Sequence, residues 1–240
     1  MRFFFLDEEP PELTGDWHPP ASLGHHLRAL RFRAGEEVLL LLPHGGAVRA
    51  TFHDPKRLEL HGLAEPPRLD LLPITLATAW PKGSRGDELV VRATEAGVER
   101  ILPVVFERSV SGREPFRGSR LQRYRRLARE TAQQCRRPTL PIVEGEPVPL
   151  RAVLDEAPLA HPILLTPGAW PLQHELDLKT PRELLLLVGP EGGTTPDEEA
   201  WLAERGVARA GLLETVLRIE AAGPLAAALC QHDALARRSS

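Results

Sequence analysis

Short apolar runs separated by turn residues mark the first seventy residues of the chain. They predict strands at residues 3–6, 38–42, 47–53 and 57–60, and a short helix at residues 25–33 that ends near Gly35. The segment Pro43-His44-Gly45-Gly46 lies between the second and third of these strands and is typical of a hairpin turn. Short strands at this spacing favour a small β-barrel, with residues 65–68 as a linker behind it.

From residue 74 onward, apolar runs alternate with helical patterns. Strands are predicted at residues 74–80, 101–106, 162–165, 184–188 and 208–212, and helices at residues 85–96, 119–135 and 217–236. The runs at 162–165 and 184–188 are unbroken, as expected of parallel strands that are covered on both faces. The alternation therefore predicts an α/β sheet built from βαβ units.

The composition is that of an ordinary globular protein. Of the 240 residues, 42% are hydrophobic and 26% are charged, and the formal net charge is −3, so any nucleic-acid site must be a local patch. Cys135 and Cys230 are far apart and the nine histidines show no metal-ligand spacing, so we expect neither a disulfide framework nor a metal site. No run approaches the roughly 18 apolar residues of a membrane span, and acidic residues follow the first apolar run too soon for a signal peptide. We therefore expect a cytoplasmic protein without membrane contact.

A glycine-rich loop at residues 189–193 follows the apolar run at 184–188. Behind it, Thr195, Pro196 and Glu198 form the sequence of a capping box and predict a helix start. Ligands in open α/β sheets bind where such strands end, and glycines let backbone amides approach them. A tight turn that binds nothing remains an equal alternative. The spacing is neither that of a dinucleotide fingerprint nor that of a phosphate-binding P-loop.

A second candidate motif is Arg218 followed by Glu220, at the start of an alanine-rich helix. Negative charge near a helix start is favourable, so Glu220 has a structural explanation, whereas a cation such as Arg218 gains nothing there. Taken alone, the pair is more typical of a surface ion pair than of a site.

The third candidate is basic: residues 113–137 contain nine arginines against two glutamates. Within the predicted helix, an apolar stripe consists of Leu121, Tyr124, Leu127 or Ala128, Thr131 and Cys135, and Arg120, Arg123 and Arg126 share another face. A charged run is most often a solvated face. In a chain of net charge −3, this imbalance nevertheless favours contact with the phosphates of RNA.

The order and spacing of these motifs resemble the uridine-N3 methyltransferases of small-subunit ribosomal RNA, members of the SPOUT class. The resemblance runs nearly from end to end. The motifs that carry it are His25-His26-Leu27-Arg28-Ala29-Leu30-Arg31 with Gly35, Lys82, Ala93-Thr94-Glu95-Ala96-Gly97-Val98, Pro103, Glu107-Arg108-Ser109-Val110, Ala132-Gln133-Gln134-Cys135-Arg136-Arg137 with Pro141, Gly189-Pro190-Glu191-Gly192-Gly193, and Val216-Leu217-Arg218-Ile219-Glu220.

The resemblance implies a PUA-like, RNA-binding β-barrel over residues 1–70 and a trefoil-knotted SPOUT α/β methyltransferase domain over residues 73–240. It implies S-adenosylmethionine as cofactor and methylation of N3 of one uridine in 16S ribosomal RNA, within the small ribosomal subunit. It also implies a homodimer whose active sites lie near the subunit interface.

The same resemblance assigns site residues. Arg218 would hold the uridine carbonyl oxygens as charge develops, and Glu220 would act as base or orient Arg218, with Glu191 a weaker candidate base. The implied cofactor loops contain Leu165, Thr166, Pro167, Val188, Gly189, Pro190, Glu191, Gly193, Leu212, Leu217 and Arg218. The implied RNA contacts are Arg28, Arg31, Arg120, Arg123, Arg126 and Arg129.

The chain departs from the family pattern at Leu213, Thr215 and Ala221, where the family tends to have Gly, Arg and Thr. These departures support an alternative, a non-catalytic RNA-binding or ribosome-assembly factor. A ribose 2′-O-methyltransferase of the same class is a second alternative. Those enzymes tend to carry Ser-Leu-Asn-Val at the entry to the last helix, and residues 216–220 do not match it. A small-molecule methyltransferase is disfavoured, because such a substrate would not explain the arginine-rich face.

Overall fold

The computed structural model describes residues 2–179 and 182–238. Two compact units are present. One comprises the chain up to Leu69 together with Gln133–Pro138, and the other comprises Asp70–Ala132 and the chain from Thr139 onward. The predicted domain ends at residues 1 and 240 lie outside the described residues.

The first unit is a five-stranded sheet with one helix. Its elements are β1 (Arg2–Phe5), β2 (Thr14–Trp17), α1 (Ala21–Ala29), β3 (Glu37–Leu41), β4 (Ala47–Asp54) and β5 (Arg57–Ala64). The strand order is β1-β3-β4-β5-β2, with β1 and β3 parallel and the other pairs antiparallel. The predicted hairpin turn joins β3 to β4, where the Leu42 amide donates to the Gly46 carbonyl at 3.2 Å.

Helix α1 differs from its prediction because its start and its end are both set by backbone conformation. It begins at Ala21, directly after Pro20, and not at residue 25. It ends at Ala29 because Arg31 adopts a positive φ of 58° and cannot continue the helix. Leu27 is fully buried in the apolar core that includes Phe4 and Leu40. Strand β2 was not predicted, because its sequence Thr-Gly-Asp-Trp carries no apolar pattern and it forms by pairing with β5.

The second unit is a sheet of seven parallel strands with helices packed against it. Its elements are β6 (Ile74–Thr78), α2 (Arg85–Glu95), β7 (Arg100–Val105), α3 (Ser119–Gln134), β8 (Ile142–Val143), β9 (Val148–Pro149), a 3₁₀ helix (Leu150–Glu156), β10 (His161–Leu165), α4 (Leu172–Lys179), β11 (Leu184–Val188), α5 (Pro196–Glu204), β12 (Ala208–Ala210) and α6 (Ile219–Arg238). The strand order is β12-β10-β11-β6-β7-β8, and β9 also pairs with β7.

The two central strands, β6 and β11, are buried at every position, so the α/β sheet is confirmed where the apolar runs predicted it. Helix α6 lies directly on this sheet. A Cβ atom at Gly223 would stand 2.6 Å from the end of the Leu76 side chain, so glycine lets the helix approach β6 closely without displacing that side chain.

Several predicted limits shift. Strand β12 ends at Ala210 and helix α6 begins at Ile219, so residues 211–218 are a loop, where we had predicted the end of the strand and the start of the helix. Helix α4, the 3₁₀ helix and the two-residue strands β8 and β9 were not predicted. In the described part of the chain, no helix is long and apolar enough to cross a membrane.

Candidate active site at the carboxyl edge of the sheet

Three loops that were predicted to bind a ligand begin at the same level of the sheet. Strand β10 pairs with both β11 and β12, so Leu165 stands opposite Val188 on one side and Ala210 on the other. Since all these strands are parallel, the loops at residues 166–171, 189–195 and 211–218 leave the same edge. At this edge the Ala79 amide, just past β6, donates to the Val188 carbonyl at 2.9 Å.

The loops after β10 and β12 are joined through their backbones. The Gly211 amide donates to the Trp170 carbonyl at 2.7 Å, and the Leu172 amide donates to the Gly211 carbonyl at 2.9 Å. A Cβ atom at Gly211 would stand 2.6 Å from the carbonyl oxygen of Ala169, which leaves no room for a side chain. Glycine at position 211 is therefore required for the two loops to lie against each other.

The glycine-rich loop after β11 forms the turn and the helix start that its sequence predicts. The Gly193 amide donates to the Pro190 carbonyl at 2.8 Å, and Gly193 itself adopts a positive φ of 71°. The capping box is complete: the Thr195 amide donates to Glu198 Oε2 at 2.8 Å, and the Glu198 amide donates to Thr195 Oγ1 at 3.3 Å. This prediction is confirmed.

Two arginines outside the predicted set hold this loop in place. Arg85, the first residue of α2, forms an ion pair with Glu191 at 3.1 Å. Arg108 donates to the carbonyls of Gly192 at 2.9 Å and Thr194 at 3.3 Å. Glu191, a candidate base, is thus engaged by a cation. Arg108 could have been found from the sequence, because its segment follows the predicted strand at 101–106 and must leave the same edge of the sheet.

The segment that carries Arg108 is itself fixed. The Glu107 amide donates to Glu198 Oε1 at 2.7 Å, which ties the end of β7 to the start of α5. The Phe106 amide donates to Ser109 Oγ at 3.0 Å, and Arg113 Nε donates to the Ser109 carbonyl at 2.7 Å. Arg108 therefore reaches the loop from a rigid turn.

Arg218 and Glu220 lie where the loop at 211–218 enters α6, and their environments differ sharply. The Arg218 side chain is 78% exposed and the Glu220 side chain is 3% exposed, with 4.0 Å between Arg218 Nη1 and Glu220 Oε1. The interpretation as a surface ion pair is wrong for Glu220, which is buried in the first turn of the helix.

Within the described residues, Glu220 Oε2 is a buried polar atom that lacks a hydrogen-bond partner. Leaving such an atom unpaired costs about 1–3 kcal/mol. Buried polar groups are ordinarily satisfied, so an unpaired one calls for an explanation, and an active-site role is among the usual ones.

The predicted RNA-contacting arginines have separate surroundings. Arg28 lies on α1 and Arg31 follows it, and both are exposed. On α3, the Arg120 guanidinium lies 4.5 Å from the centre of the Phe116 ring, Arg123 pairs with Asp87, and Arg126 lies 3.8 Å from Glu130. Arg129 is half-buried. The predicted common face of Arg120, Arg123 and Arg126 is therefore divided among different partners, because neighbouring elements supply an aromatic ring and a carboxylate.

The apolar stripe of α3 is confirmed except at its end. Tyr124, Ala128 and Thr131 are buried, but Cys135 lies one residue beyond the helix and is exposed. Tyr124 accepts a hydrogen bond from Trp80 Nε1 at 3.1 Å, just past the carboxyl end of β6. The stripe thus fixes α3 next to the candidate site.

Two cavities are lined by residues outside this site, so cavity volume does not identify it. A cavity of about 660 Å³ lies in the first unit, lined by Phe3, Leu39, Arg49, His61, Leu63, Ala64, Glu65 and Pro67. A groove of about 420 Å³ lies between α2 and α6. The three loops line neither, and the convergence of parallel strand ends is the stronger indication. The described residues contain no cluster of His, Cys, Asp and Glu that could hold a metal ion.

The chain is similar to known RNA methyltransferases. A family model described as an RNA methyltransferase domain matches residues 67–231. Ribosomal RNA small subunit methyltransferase E of Synechocystis sp. is 32% identical over 230 residues, which are 90% of this chain and 71% of that protein. The protein of that name from Mycobacterium bovis is 33% identical over 159 residues, which are 64% of this chain and 61% of that protein. The chain thus spans about three fifths of that relative's length.

A solved structure gives the same answer for the fold. The crystal structure of a ribosomal RNA small subunit methyltransferase E from Neisseria gonorrhoeae, bound to S-adenosyl methionine, matches with a TM-score of 0.76. The two sequences are 28% identical, and the match covers 97% of each chain. By its sequence and by its fold, the chain therefore belongs to the RNA methyltransferase domain family and groups with ribosomal RNA small subunit methyltransferase E.

Proposed function

We propose that the protein transfers a methyl group from S-adenosylmethionine to N3 of a uridine in 16S ribosomal RNA. The observation that carries this proposal is the convergence of the three loops, with Arg218 and the buried Glu220, at one edge of a parallel sheet. The printed name of the relatives supports the substrate, and the bound molecule of the Neisseria gonorrhoeae structure supports the cofactor.

The residues present fit such a cofactor. Leu165, at the end of β10, and Leu212 and Leu217, in the loop after β12, are half-buried and offer apolar surface to an adenosine group. The glycine-rich loop would let a ligand approach its backbone groups closely. The other members of the proposed set are Thr166, Pro167, Val188, Gly189, Pro190, Glu191, Gly193 and Arg218. The bound cofactor would supply an activated methyl group on a sulfonium.

In the proposed mechanism, the exposed Arg218 holds the uridine carbonyl oxygens as negative charge develops on the base. Uridine N3 carries a proton at neutral pH, and that proton must leave before or during transfer. Glu220 either accepts the proton or orients Arg218. Its 3% exposure and its 4.0 Å distance from Arg218 favour the orienting role.

The proposal extends to the RNA and to the architecture. Arg28, Arg31, Arg120, Arg123, Arg126 and Arg129 would contact phosphates of 16S ribosomal RNA within the small subunit. We propose a PUA-like barrel for residues 1–70 and a trefoil-knotted domain for residues 73–240, in a cytoplasmic homodimer. The partly exposed Leu225 and Leu229, on α6, support a subunit contact.

The test is nucleoside mass spectrometry of unmodified small ribosomal subunits after incubation with the protein and S-adenosylmethionine. A gain of 3-methyluridine supports the proposal. A gain of a 2′-O-methylated nucleoside moves the assignment to ribose methylation. No methylation by a protein that binds the cofactor indicates an RNA-binding factor, the alternative suggested by Leu213, Thr215 and Ala221.

A further inference from the structure

Trp170 is an exposed aromatic side chain at the candidate site. It is 74% exposed, and among the described residues it is the one aromatic member of the exposed large hydrophobic set. The other described tryptophans are buried or half-buried. Tryptophan is a large apolar residue that usually gains from burial, so this position indicates a binding role.

Backbone bonds and a ring contact hold Trp170 in place. The Trp170 carbonyl accepts from the Gly211 amide at 2.7 Å, and the next residue, Pro171, forms a bridge with Gly211. The ring stacks on His174, with 5.4 Å between the ring centres and an angle of 28° between the planes. Because the indole already stacks on His174 and most of the residue is exposed to solvent, it offers a preorganised flat surface.

Trp170 lies at the same edge of the sheet as the residues proposed for chemistry. Its loop follows β10 and is bonded to the start of the loop at 211–218, which leads to Arg218. The same loop exposes Leu213 by 51% and Val216 by 79%, and the Arg218 side chain is 78% exposed. The edge therefore combines a flat aromatic ring, apolar surface and a cation.

The chemistry of the proposed substrate explains why an aromatic ring, apolar surface and a cation would lie together. N3 of uridine lies on the base-pairing edge, so methyl transfer requires an unpaired uridine. Unpaired bases leave their stack and are recognised by stacking on aromatic side chains, while cations contact the backbone phosphates. We propose that Trp170 is a stacking platform for an unpaired base of the RNA substrate, an inference that rests on the proposed function. The exposed Arg218 cation favours RNA over an apolar protein surface as the occupant.

The test compares Trp170→Ala, Trp170→Leu and Trp170→Phe with the wild type in binding a short unpaired RNA containing uridine. Phenylalanine keeps a flat ring, whereas leucine keeps apolar area without one. We expect Trp170→Ala and Trp170→Leu to raise the Kd for RNA by about tenfold, and Trp170→Phe to raise it by less than about threefold, in line with the strength of base–aromatic stacking. Binding of the same RNA annealed to its complement should be weak and equal for all.

Leu159→Ala is the matched control, because Leu159 is 89% exposed but lies in the turn before β10, at the opposite edge of the sheet. It should leave Kd for RNA unchanged. The proposal is overturned if Trp170→Leu binds the RNA as well as Trp170→Phe does, or if all three variants bind it like the wild type. It is also overturned if the variants instead change Kd for S-adenosylmethionine or the sedimentation mass, which would assign Trp170 to the cofactor or to a subunit contact. A wild type that yields no 3-methyluridine but binds unpaired RNA through Trp170 would remove the proposed function and leave the stacking platform standing.

Discussion

The guanidinium of Arg108 donates to the carbonyl oxygen of Gly192 at 2.9 Å, although 84 residues separate the two in the chain. Arg108 donates a second bond, to the Thr194 carbonyl at 3.3 Å, just before the start of α5. The peptide planes of the loop are thereby held by a side chain from another strand end.

Arg108→Ala should weaken binding of S-adenosylmethionine by about threefold to tenfold, because the loop loses two charge-assisted hydrogen bonds at an exposed site. Isothermal titration with the cofactor measures this, and Arg108→Lys should recover part of the loss. Arg92→Ala is the control, since Arg92 is an exposed arginine that pairs with Glu88 on the surface of α2. Equal affinities for wild type and Arg108→Ala would show that the loop holds its shape unaided.

Gly211→Ala should lower the free energy of unfolding by about 1–3 kcal/mol, because the new Cβ would overlap the Ala169 carbonyl oxygen at 2.6 Å and force the two loops apart. Thermal unfolding followed by circular dichroism measures the change. Gly192→Ala is the matched control, since its Cβ would meet Arg108 at an ordinary 3.5 Å. A variant as stable as the control would mean that the two loops separate at no cost.

Arg218→Ala should abolish methyl transfer while leaving cofactor affinity mostly intact, because the side chain is 78% exposed and is proposed to act on the uridine. Single-turnover methylation and cofactor titration separate the two effects. Substantial turnover by Arg218→Ala would remove this residue from the mechanism.

Glu220→Gln should keep or raise the melting temperature and lower turnover by about a hundredfold. The neutral amide gives up the favourable charge at the helix start but removes the larger cost of burying a carboxylate whose Oε2 is unpaired, while the loss of a base or an orienting charge slows the chemistry. Parallel measurement of melting temperature and single-turnover rate tests both halves. A variant that unfolds but retains its rate per folded molecule would assign Glu220 to stability alone.

Cys230 should resist alkylation in the native protein up to about pH 9, whereas Cys135 should react. Burial, and secondarily the charge of Asp233, raises the pKa of the Cys230 thiol to about 12, so the reactive thiolate is scarce. Because the folded-state pKa lies above the ordinary value, the stability contributed by the neutral thiol is present below that value and is lost as pH rises towards 12. Mass spectrometry after iodoacetamide treatment reads out both residues, and early labelling of Cys230 would contradict its burial.

The parts of the fold that the sequence predicted are those with strong local signals. Strand β11 and the Thr195 capping box were predicted to the residue, since an unbroken apolar run and a cap depend on their own neighbourhood. Strand β2 depends instead on pairing with β5, and the break in α1 depends on a positive φ at Arg31. Neither leaves a periodic pattern.

The candidate site divides in the same way. The family resemblance implied that the three loops lie together, and for the glycine-rich loop the apolar strand before it gave a local indication as well. The partners of Arg85, Arg108 and Arg123 were not predicted, because each carboxylate or carbonyl comes from a different element of the fold. The exposure of Trp170 was missed as well, since a single tryptophan in a proline- and glycine-containing segment gives no indication of which side faces solvent.

The bonds between Gly211 and Trp170 have a consequence for how the site opens. Two of the three loops share backbone hydrogen bonds with each other, whereas the glycine-rich loop is tied to other elements by hydrogen bonds and an ion pair from arginine side chains. Side-chain bonds at an exposed surface break and reform far more easily than a packed backbone bridge. We therefore expect the glycine-rich loop, which carries Gly192, to open more readily than the two joined loops that carry Trp170 and Gly211.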